Sequence, residues 1–401
     1  MSRTAIVVQR CHPDIAGGSE ALAWHYAQLL RRRGDVDVLT SCALDYRTWT
    51  NALPAGEEYR DGVRLLRFAS AWPRGSWFST LHRRLLQEHA RAVERDGNPR
   101  LDWRAPLAEQ FVRAQGPWCP GLFEHLVRHG DDYDAVVFCT YLYPTTYFGI
   151  ESVAAHKRVL VPTLHDEPPA YLGIYAEAAR RVPRIIWLTE AERRLGAKLW
   201  GIGRGDVVGM AVETTPSPPA ARERPYLLYC GRIDESKGCR ELIDTFRRWR
   251  RARPDAADLV LTGADHLGLR DGDGVHYLGF VEPARKSALM AGASAFVMPS
   301  RWESFSIVTL EALAQGAPVI VNAQCEVLAD HVQASGAGWA CRDADALTRS
   351  FDAALSLDAD SRARIAARGR DYVIRRYAEA DVAERLCRAI DAGAESSAAA
   401  V

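Results

Sequence analysis

The chain has no net charge to spend: Lys+Arg and Asp+Glu each number 51 among its 401 residues. A global basic field of the kind that gathers nucleic acid is therefore excluded, although a local basic patch is not. There is no CxxC pair among the nine cysteines, which are scattered along the sequence. That spacing fits neither a zinc site nor a disulfide frame, and reads as small buried hydrophobes in a reducing compartment. No apolar run approaches the length of a membrane span. Met1-Ser-Arg-Thr followed by Ala5-Ile-Val-Val8 is too short for the apolar stretch of a signal peptide, so a cytoplasmic protein is expected. Internal repeats and heptads are missing, and so is any Ser/His/Asp or Cys/His combination for nucleophilic catalysis. The turn after the first strand lacks the G-x-G-x-x-G spacing of a dinucleotide site.

What remains is 48% hydrophobic and 25% charged, the make-up of an ordinary globular enzyme with room for two α/β domains. The first opens with a strand, Thr4 to Gln9, and a helix from about Ser19 to Arg33 carrying Leu22, Tyr26, Leu29 and Leu30 on one face. Gly34 reads as its stop and Val36–Thr40 as the next strand, making a βαβ unit. Continuous apolar runs at Ala135–Cys139, Arg158–Pro162 and Arg184–Leu188 suit parallel strands covered on both faces. A proline-dense stretch from Thr214 to Pro225 reads as a linker. Strands then restart at Tyr226–Cys230, Asp258–Thr262, Val275–Leu278, Ala295–Met298 and Val319–Val321. The expected fold class is thus α/β, two Rossmann-like doubly wound parallel-sheet domains facing a central cleft. Residues 1–213 form the first domain, 214–225 the linker, 226–375 the second domain, and 376–401 a helix and tail packing back on the first. The Ala/Ser-rich end from Ala392 is expected to fray.

Chemistry concentrates between Met298 and Val321. A strand ends at Met298, a loop carries Glu303, and Ser306 suits the N-cap of a helix that Gly316 terminates. Such a start would present the N–H groups of Ile307 and Val308 as an anion site, with Ser304 and Phe305 beside them and Glu311 on the second turn. One carboxylate could then take sugar hydroxyls and the other a ribose. Two glutamates near a helix start serve its dipole as readily as a site, but the preceding strand and the following Gly316-Ala-Pro-Val-Ile favour a site. A second segment, Gly231-Arg232-Ile-Asp-Glu-Ser-Lys237-Gly238, follows a strand and precedes a helix. There a solvated turn is the bland alternative. Gly17-Gly18 opens the first helix, where backbone could approach a phosphate or sugar, although a glycine pair is more often just a turn. His165-Asp166-Glu167 stands at the end of a parallel strand, a place that favours function over a buried structural histidine.

The stretch from Glu303 to Glu311 resembles the E-x7-E signature of retaining glycosyltransferases of the GT-B fold, specifically family 4 (glycosyl transferases group 1). The Arg232/Lys237 segment is similar to that family's G-R-x4-K-G motif, and the resemblance extends over nearly the whole chain. It implies a hexose transferred from a UDP- or GDP-linked donor to a glycan or glycolipid hydroxyl, in bacterial surface polysaccharide or glycoconjugate synthesis. It further implies catalytic roles for His165, Glu303, Arg232 and Lys237, and donor contacts from Gly17, Gly18, Ser304, Phe305, Ser306, Ile307, Val308 and Glu311. Arg232 and Lys237 would stand in for a metal ion on the leaving diphosphate, so no metal and no cofactor is expected. Asp-x-Asp strings at Asp35/Asp37, Asp271/Asp273, Asp343/Asp345 and Asp358/Asp360 are accordingly given no metal. One departure is Met210-Ala-Val-Glu213, where the family has Asn-Gly-Val-Asp; a donor contact from that loop is not expected. A GT-B epimerase or phosphorylase, or a transferase with a soluble acceptor, stays open.

On the acceptor side the expected residues are Asp166, Glu167 and Trp77. Trp77 belongs to Ala71–Leu86, in which aromatic residues and leucines alternate with Arg74, Arg83 and Arg84. That composition suits a helix lying on the inner leaflet, with Leu81 and Leu85 on the apolar face and Phe78 beside them. It suits equally a helix that packs on its own domain.

Overall fold

The computed structural model describes residues 2–15, 17–96, 99 and 101–391. They fall into two compact units, Met1–Met210 with Val382–Val401, and Ala211–Asp381.

The first unit runs β1 Ser2–Val7, α1 Gly18–Leu30, β2 Gly34–Ser41, β3 Gly56–Arg60, β4 Val63–Phe68, α2 Ser76–Asp96, α3 Ala105–Gln115 and α4 Pro120–His129. It continues through β5 Ala135–Cys139, α5 Pro144–Tyr147, β6 Arg158–Val161, α6 Gly173–Arg180, β7 Arg184–Trp187, α7 Glu190–Trp200 and β8 Asp206–Val207. Its eight strands lie in the order β3-β4-β2-β1-β5-β6-β7-β8. All pairs are parallel except β3–β4, so the sheet is not uniformly parallel as expected. That hairpin turns on Asp61 (φ 48°) and Gly62 (φ 75°), an Asp-Gly pair in the left-handed conformation a tight hairpin needs. Gly34 does not stop α1 but begins β2; a Cβ there would lie 1.9 Å from the Ser2 carbonyl oxygen of the neighbouring strand.

The core of this unit is built from the runs the sequence marked: β5 is buried throughout, and Val7, Phe138, Leu160 and Trp187 pack with Phe111 and Tyr175 from the helices. α2 joins that core. Leu81 and Leu85 are buried and Phe78 packs 5.9 Å from Phe111, so of the two readings of this helix its apolar face takes the one that packs on its own domain. Burying it against the core removes the apolar area from water without any partner. Trp77 and Leu86 remain exposed, with Arg83 and Arg84.

The second unit comprises β9 Tyr226–Cys230, α8 Cys239–Arg251, β10 Asp258–Thr262, β11 Val275–Tyr277, α9 Pro283–Gly292, β12 Ala295–Met298 and α10 Ile307–Ala314. After these come β13 Val319–Asn322, α11 Glu326–Ser335, β14 Gly338–Cys341, α12 Ala344–Leu355 and α13 Ala359–Tyr377. The sheet is parallel with order β11-β10-β9-β12-β13-β14. Counted within the unit this is 3-2-1-4-5-6, so the strand order reverses between β9 and β12. In such sheets the ligand crevice opens at the carboxyl ends of the two strands flanking that reversal.

The proline-rich stretch has neither helix nor strand and runs along this second unit. Gln315 pins it twice, accepting from the Ser217 N–H at 2.8 Å and donating to the Thr215 carbonyl at 3.0 Å. The last helix, α14 Glu379–Asp391, crosses the unit boundary. From Val382 onward it belongs to the first unit, with Arg385 donating to the Val208 carbonyl at 3.2 Å and Asp391 paired to Arg33 at 2.8 Å. The end from Ala392, expected to fray, lies outside the described residues. Among the described residues no helix is long and apolar enough to cross a membrane.

Candidate functional site

The loops after β9 and β12 leave the two strands at the reversal point of the second sheet, and they carry the residues singled out in the sequence. After β9, Gly231 (φ 144°) turns the chain, and Asp234 accepts from the Lys237 N–H at 2.9 Å and the Ser236 hydroxyl at 2.7 Å. This cap fixes the short turn that ends in Lys237. Gly238 (φ 73°) closes it, and a Cβ there would stand 2.8 Å from the Pro299 carbonyl oxygen. Only glycine permits both that conformation and the close approach of the two loops.

Lys237 Nζ lies 2.6 Å from Glu303 Oε1. Their side chains are only 22% and 14% exposed, so neither stands open to solvent. The reason is electrostatic: a carboxylate shielded to this degree needs a counter-ion, and the turn after β9 supplies it. Lys237 also reaches the Trp302 carbonyl at 3.5 Å. Arg232 stands 3.8 Å from Asp234 with its side chain 35% exposed.

α10 starts where the sequence placed it, but by another device. Ser306 occupies the N-cap in the left-handed region (φ 58°, ψ 62°), and its hydroxyl bonds Thr309 Oγ1 at 2.9 Å instead of capping a backbone N–H. A side-chain cap requires extended backbone, which this residue does not have. The N–H groups of Ile307 and Val308, in the first turn, have no carbonyl one turn earlier to bond. Both residues are partly exposed, whereas Ser304, Phe305 and Ser306 are buried. The Phe305 ring meets Tyr377 edge-on at 5.2 Å, so its side chain serves the interior of this unit. Glu311, expected as the carboxylate for the ribose, already has a partner. Lys286 on α9 holds both of its oxygens at 2.7 Å. Lys286 carries no motif of its own, and only the packing of α9 beside α10 brings it there.

In the first unit Gly17 is the N-cap of α1 at extended backbone (φ −130°), and a Cβ on it would lie 2.2 Å from Glu20 Oε2. Gly18 has open space around it. Behind them sits a buried pair the sequence reading missed: Arg10 reaches Glu20 at 2.5 Å and the Leu44 carbonyl at 2.6 Å. The strand order here reverses between β1 and β5, so this loop too flanks a reversal point, while His165 follows β6 one strand further out.

His165 Nδ1 lies 3.8 Å from Glu167 Oε1, and Glu167 accepts from the Tyr141 hydroxyl at 2.8 Å. Asp166 accepts from the Tyr171 hydroxyl at 2.5 Å. The loop is anchored from below by Glu192, fully buried on α7. One of its oxygens accepts the Leu164 N–H at 2.6 Å and the other the Leu188 N–H at 2.5 Å. Burial pushes this carboxyl up to about 8 against the pull of those N–H groups. A signal existed: Thr189-x-x-Glu192 is a capping-box spacing, and the Thr189 hydroxyl does accept the Glu192 N–H at 3.0 Å.

One aspartate of each Asp-x-Asp string has a structural partner. Asp37 is buried between Arg3 and the Tyr133 hydroxyl, each at 2.8 Å; Asp271 accepts from the Tyr277 N–H; Asp343 and Asp358 cap α12 and α13.

Residues 213–372 match the family model described as Glycosyl transferases group 1. A glycogen synthase of Mycobacterium tuberculosis is 30% identical over 345 residues, covering 77% of this chain and 75% of that protein. A phosphatidyl-myo-inositol mannosyltransferase of Mycobacterium leprae is 32% identical over 206 residues, 47% of this chain and 53% of its own. Among solved structures, sucrose-phosphate synthase from Thermosynechococcus elongatus superposes with a TM-score of 0.68 at 17% identity, covering 97% of this chain and 98% of its own. The Anabaena protein HepE, solved with UDP and glucose, gives 0.65 at 16% identity over 98% of this chain and 100% of its own. The fold shared with these is GT-B.

Proposed function

The chain belongs to the glycosyl transferases of group 1, and on that premise we propose that it is a retaining hexosyltransferase whose donor site is the paired-loop region of the second unit. The donor is a UDP- or GDP-linked hexose and the acceptor a hydroxyl of a glycan or glycolipid, in bacterial cell-surface polysaccharide or glycoconjugate synthesis. A UDP-bound neighbour and a relative named for a phosphatidyl-inositol acceptor support those two classes.

One observation carries the reading: Lys237 and Glu303, from different loops at the strand reversal of the second sheet, form a shielded ion pair. A diphosphate arriving there competes for Lys237. As the ammonium turns to it, Glu303 is released to accept the hydroxyls of the sugar. Arg232 and the first-turn N–H groups of α10 add positive charge where negative charge grows on the leaving diphosphate. Departure of that group on the face where the acceptor hydroxyl enters retains the anomeric configuration and needs no protein nucleophile. Lys286 holds Glu311 in position for the ribose. From the first unit, the family resemblance assigns His165 to the donor sugar and Gly17 and Gly18 to donor backbone contacts; Asp166 and Glu167 beside His165, and Trp77 from the composition of its helix, are assigned to the acceptor side. We place the enzyme in the cytoplasm, at the inner face of the membrane when its acceptor is lipid-linked.

Glu303→Ala and Lys237→Ala test the site. Each removes a charge-assisted contact worth roughly 3 kcal/mol in the barrier, about a hundredfold in rate. Sugar release from UDP- and GDP-hexoses to a glycan acceptor is the assay, with circular dichroism to confirm the fold. Turnover near the wild-type level in either variant would remove the assignment.

A further inference from the structure

The loop that carries Glu303 holds Ser306 in a left-handed conformation that a non-glycine residue adopts only at a cost. Besides Lys237, three side chains from the next crossover hold this loop. Asn322 donates its Nδ2 to the Pro299 carbonyl at 3.1 Å, the Cys325 thiol approaches the Glu303 carbonyl at 3.9 Å, and His331 Nε2 lies 2.9 Å from the Phe305 carbonyl.

Of these His331 is buried (2% exposed) and bonded on both sides: its Nδ1 is 2.8 Å from the Tyr372 hydroxyl on α13. A carbonyl only accepts, so Nε2 carries the proton and donates to Phe305. Burial pushes the imidazole down to about 4, so the ring is neutral at ordinary pH. Nδ1 is then an acceptor, and the Tyr372 O–H donates to it. Tyr377, 3.5 Å from the Tyr372 oxygen, extends the chain of hydroxyls and presses its ring on Phe305.

We propose that His331 is a positioning residue for the donor site, which through the Phe305 carbonyl locks the strained turn at Ser306 and so aims the first-turn N–H groups of α10. The inference rests on the donor-site reading above. It adds a residue that lies outside both motifs, 28 positions beyond Glu303 in the chain and on α11. Losing the Phe305 bond lets the turn relax to an unstrained conformation, in which the Ile307 and Val308 N–H groups no longer converge.

The test separates support of the loop from support of the fold. His331→Asn keeps an acceptor near the position of Nδ1 but falls short of Phe305. Tyr372→Phe removes the hydroxyl and leaves the Phe305 bond. His331→Gln carries an amide N–H to the place of Nε2. Affinity for UDP and GDP is measured by calorimetry, donor KM and kcat by transfer, and Tm by scanning. His331→Asn should bind the nucleotide about tenfold more weakly and raise donor KM in step. His331→Gln should recover most of that loss, while Tyr372→Phe should lower Tm with affinity within about twofold of wild type. Ser306→Gly introduced into His331→Asn should restore affinity, because glycine needs no lock. If His331→Asn does not fold, His331→Gln supplies the reading, and a loss of affinity of about tenfold there overturns the proposal. Wild-type affinity in His331→Asn, or no recovery in the double variant, overturns the proposal. A wild-type chain that binds neither UDP nor GDP overturns the donor reading itself.

Discussion

Lys237 and Glu303 illustrate how a site residue serves the ligand-free protein as well as the bound one. Each shields the other's charge in a place water reaches poorly, and a ligand that takes one partner frees the other. His331 does the opposite work, holding a fixed protonation state so that one hydrogen bond never reverses. Its folded-state value near 4, against 6.5 for an ordinary imidazole, has a consequence for stability. The largest cause is burial, opposed by the bond to Phe305 and the nearby Asp330 and Glu303 charges, with Arg376 acting in the same sense as burial. Because the unfolded chain takes up the proton more readily, the stabilisation is present above pH 6.5 and lost as pH falls toward 4. Over that window the wild type should lose about 3 kcal/mol relative to His331→Gln, which does not titrate. Paired urea titrations at several pH values measure the gap. A constant difference between the two proteins from pH 7 to pH 4 would show that the imidazole does not stay neutral in the fold.

Two helices show what an element gains from its neighbours. α10 is eight residues long, too short to be stable alone, and starts from a left-handed serine without a side-chain cap. It persists because Leu310, Leu313 and Ala314 are buried, because the loop before it is bonded to the next crossover, and because Arg370 of α13 holds the Ala314 and Gln315 carbonyls at its end. α2 has the amphipathic composition of an interfacial helix, but Leu81 and Leu85 are spent on the first unit's own core. What it offers outward is Trp77, Leu86 and the guanidinium groups of Arg83 and Arg84, and Arg84 is already paired with Glu88 at 2.7 Å. Such a surface can meet anionic lipid only by weak electrostatics, worth about 1 kcal/mol per basic residue and screened by salt. Co-sedimentation with phosphatidylserine vesicles should therefore be detectable at low ionic strength, vanish at high salt, and be abolished by Arg83→Glu with Arg84→Glu. Salt-resistant binding would mean that apolar side chains insert after all.

At the scale of the whole molecule, two units repeat one plan, a sheet parallel except at the β3 edge of the first unit, whose strand order reverses beside its first strand. In the second unit the positive charge at that reversal comes from Arg232, Lys237 and a helix start, which leads to an expectation for the intact enzyme: transfer should proceed in excess EDTA. A strict requirement for magnesium or manganese would return one of the Asp-x-Asp strings to the site. The sequence by itself determined most of this plan. Apolar runs such as Ala135–Cys139 and Tyr226–Cys230 became strands at those bounds, because a parallel strand covered on both faces has no other place in water. The two motif loops were legible for the same local reason: glycine, a capping aspartate and a strand end are written in adjacent residues. The β3–β4 turn was also written locally, in Asp61-Gly62, but β3 (GEEYR) is polar and exposed and gives no apolar run. Only the tertiary structure decided the partners. That Lys237 meets Glu303, Lys286 meets Glu311, and His331 meets Phe305 depends on which crossovers lie side by side. The exposure of each carboxylate and the neutrality of the histidine depend on what is packed around them, and side chains brought together from 25 to 66 positions apart leave no periodicity to read.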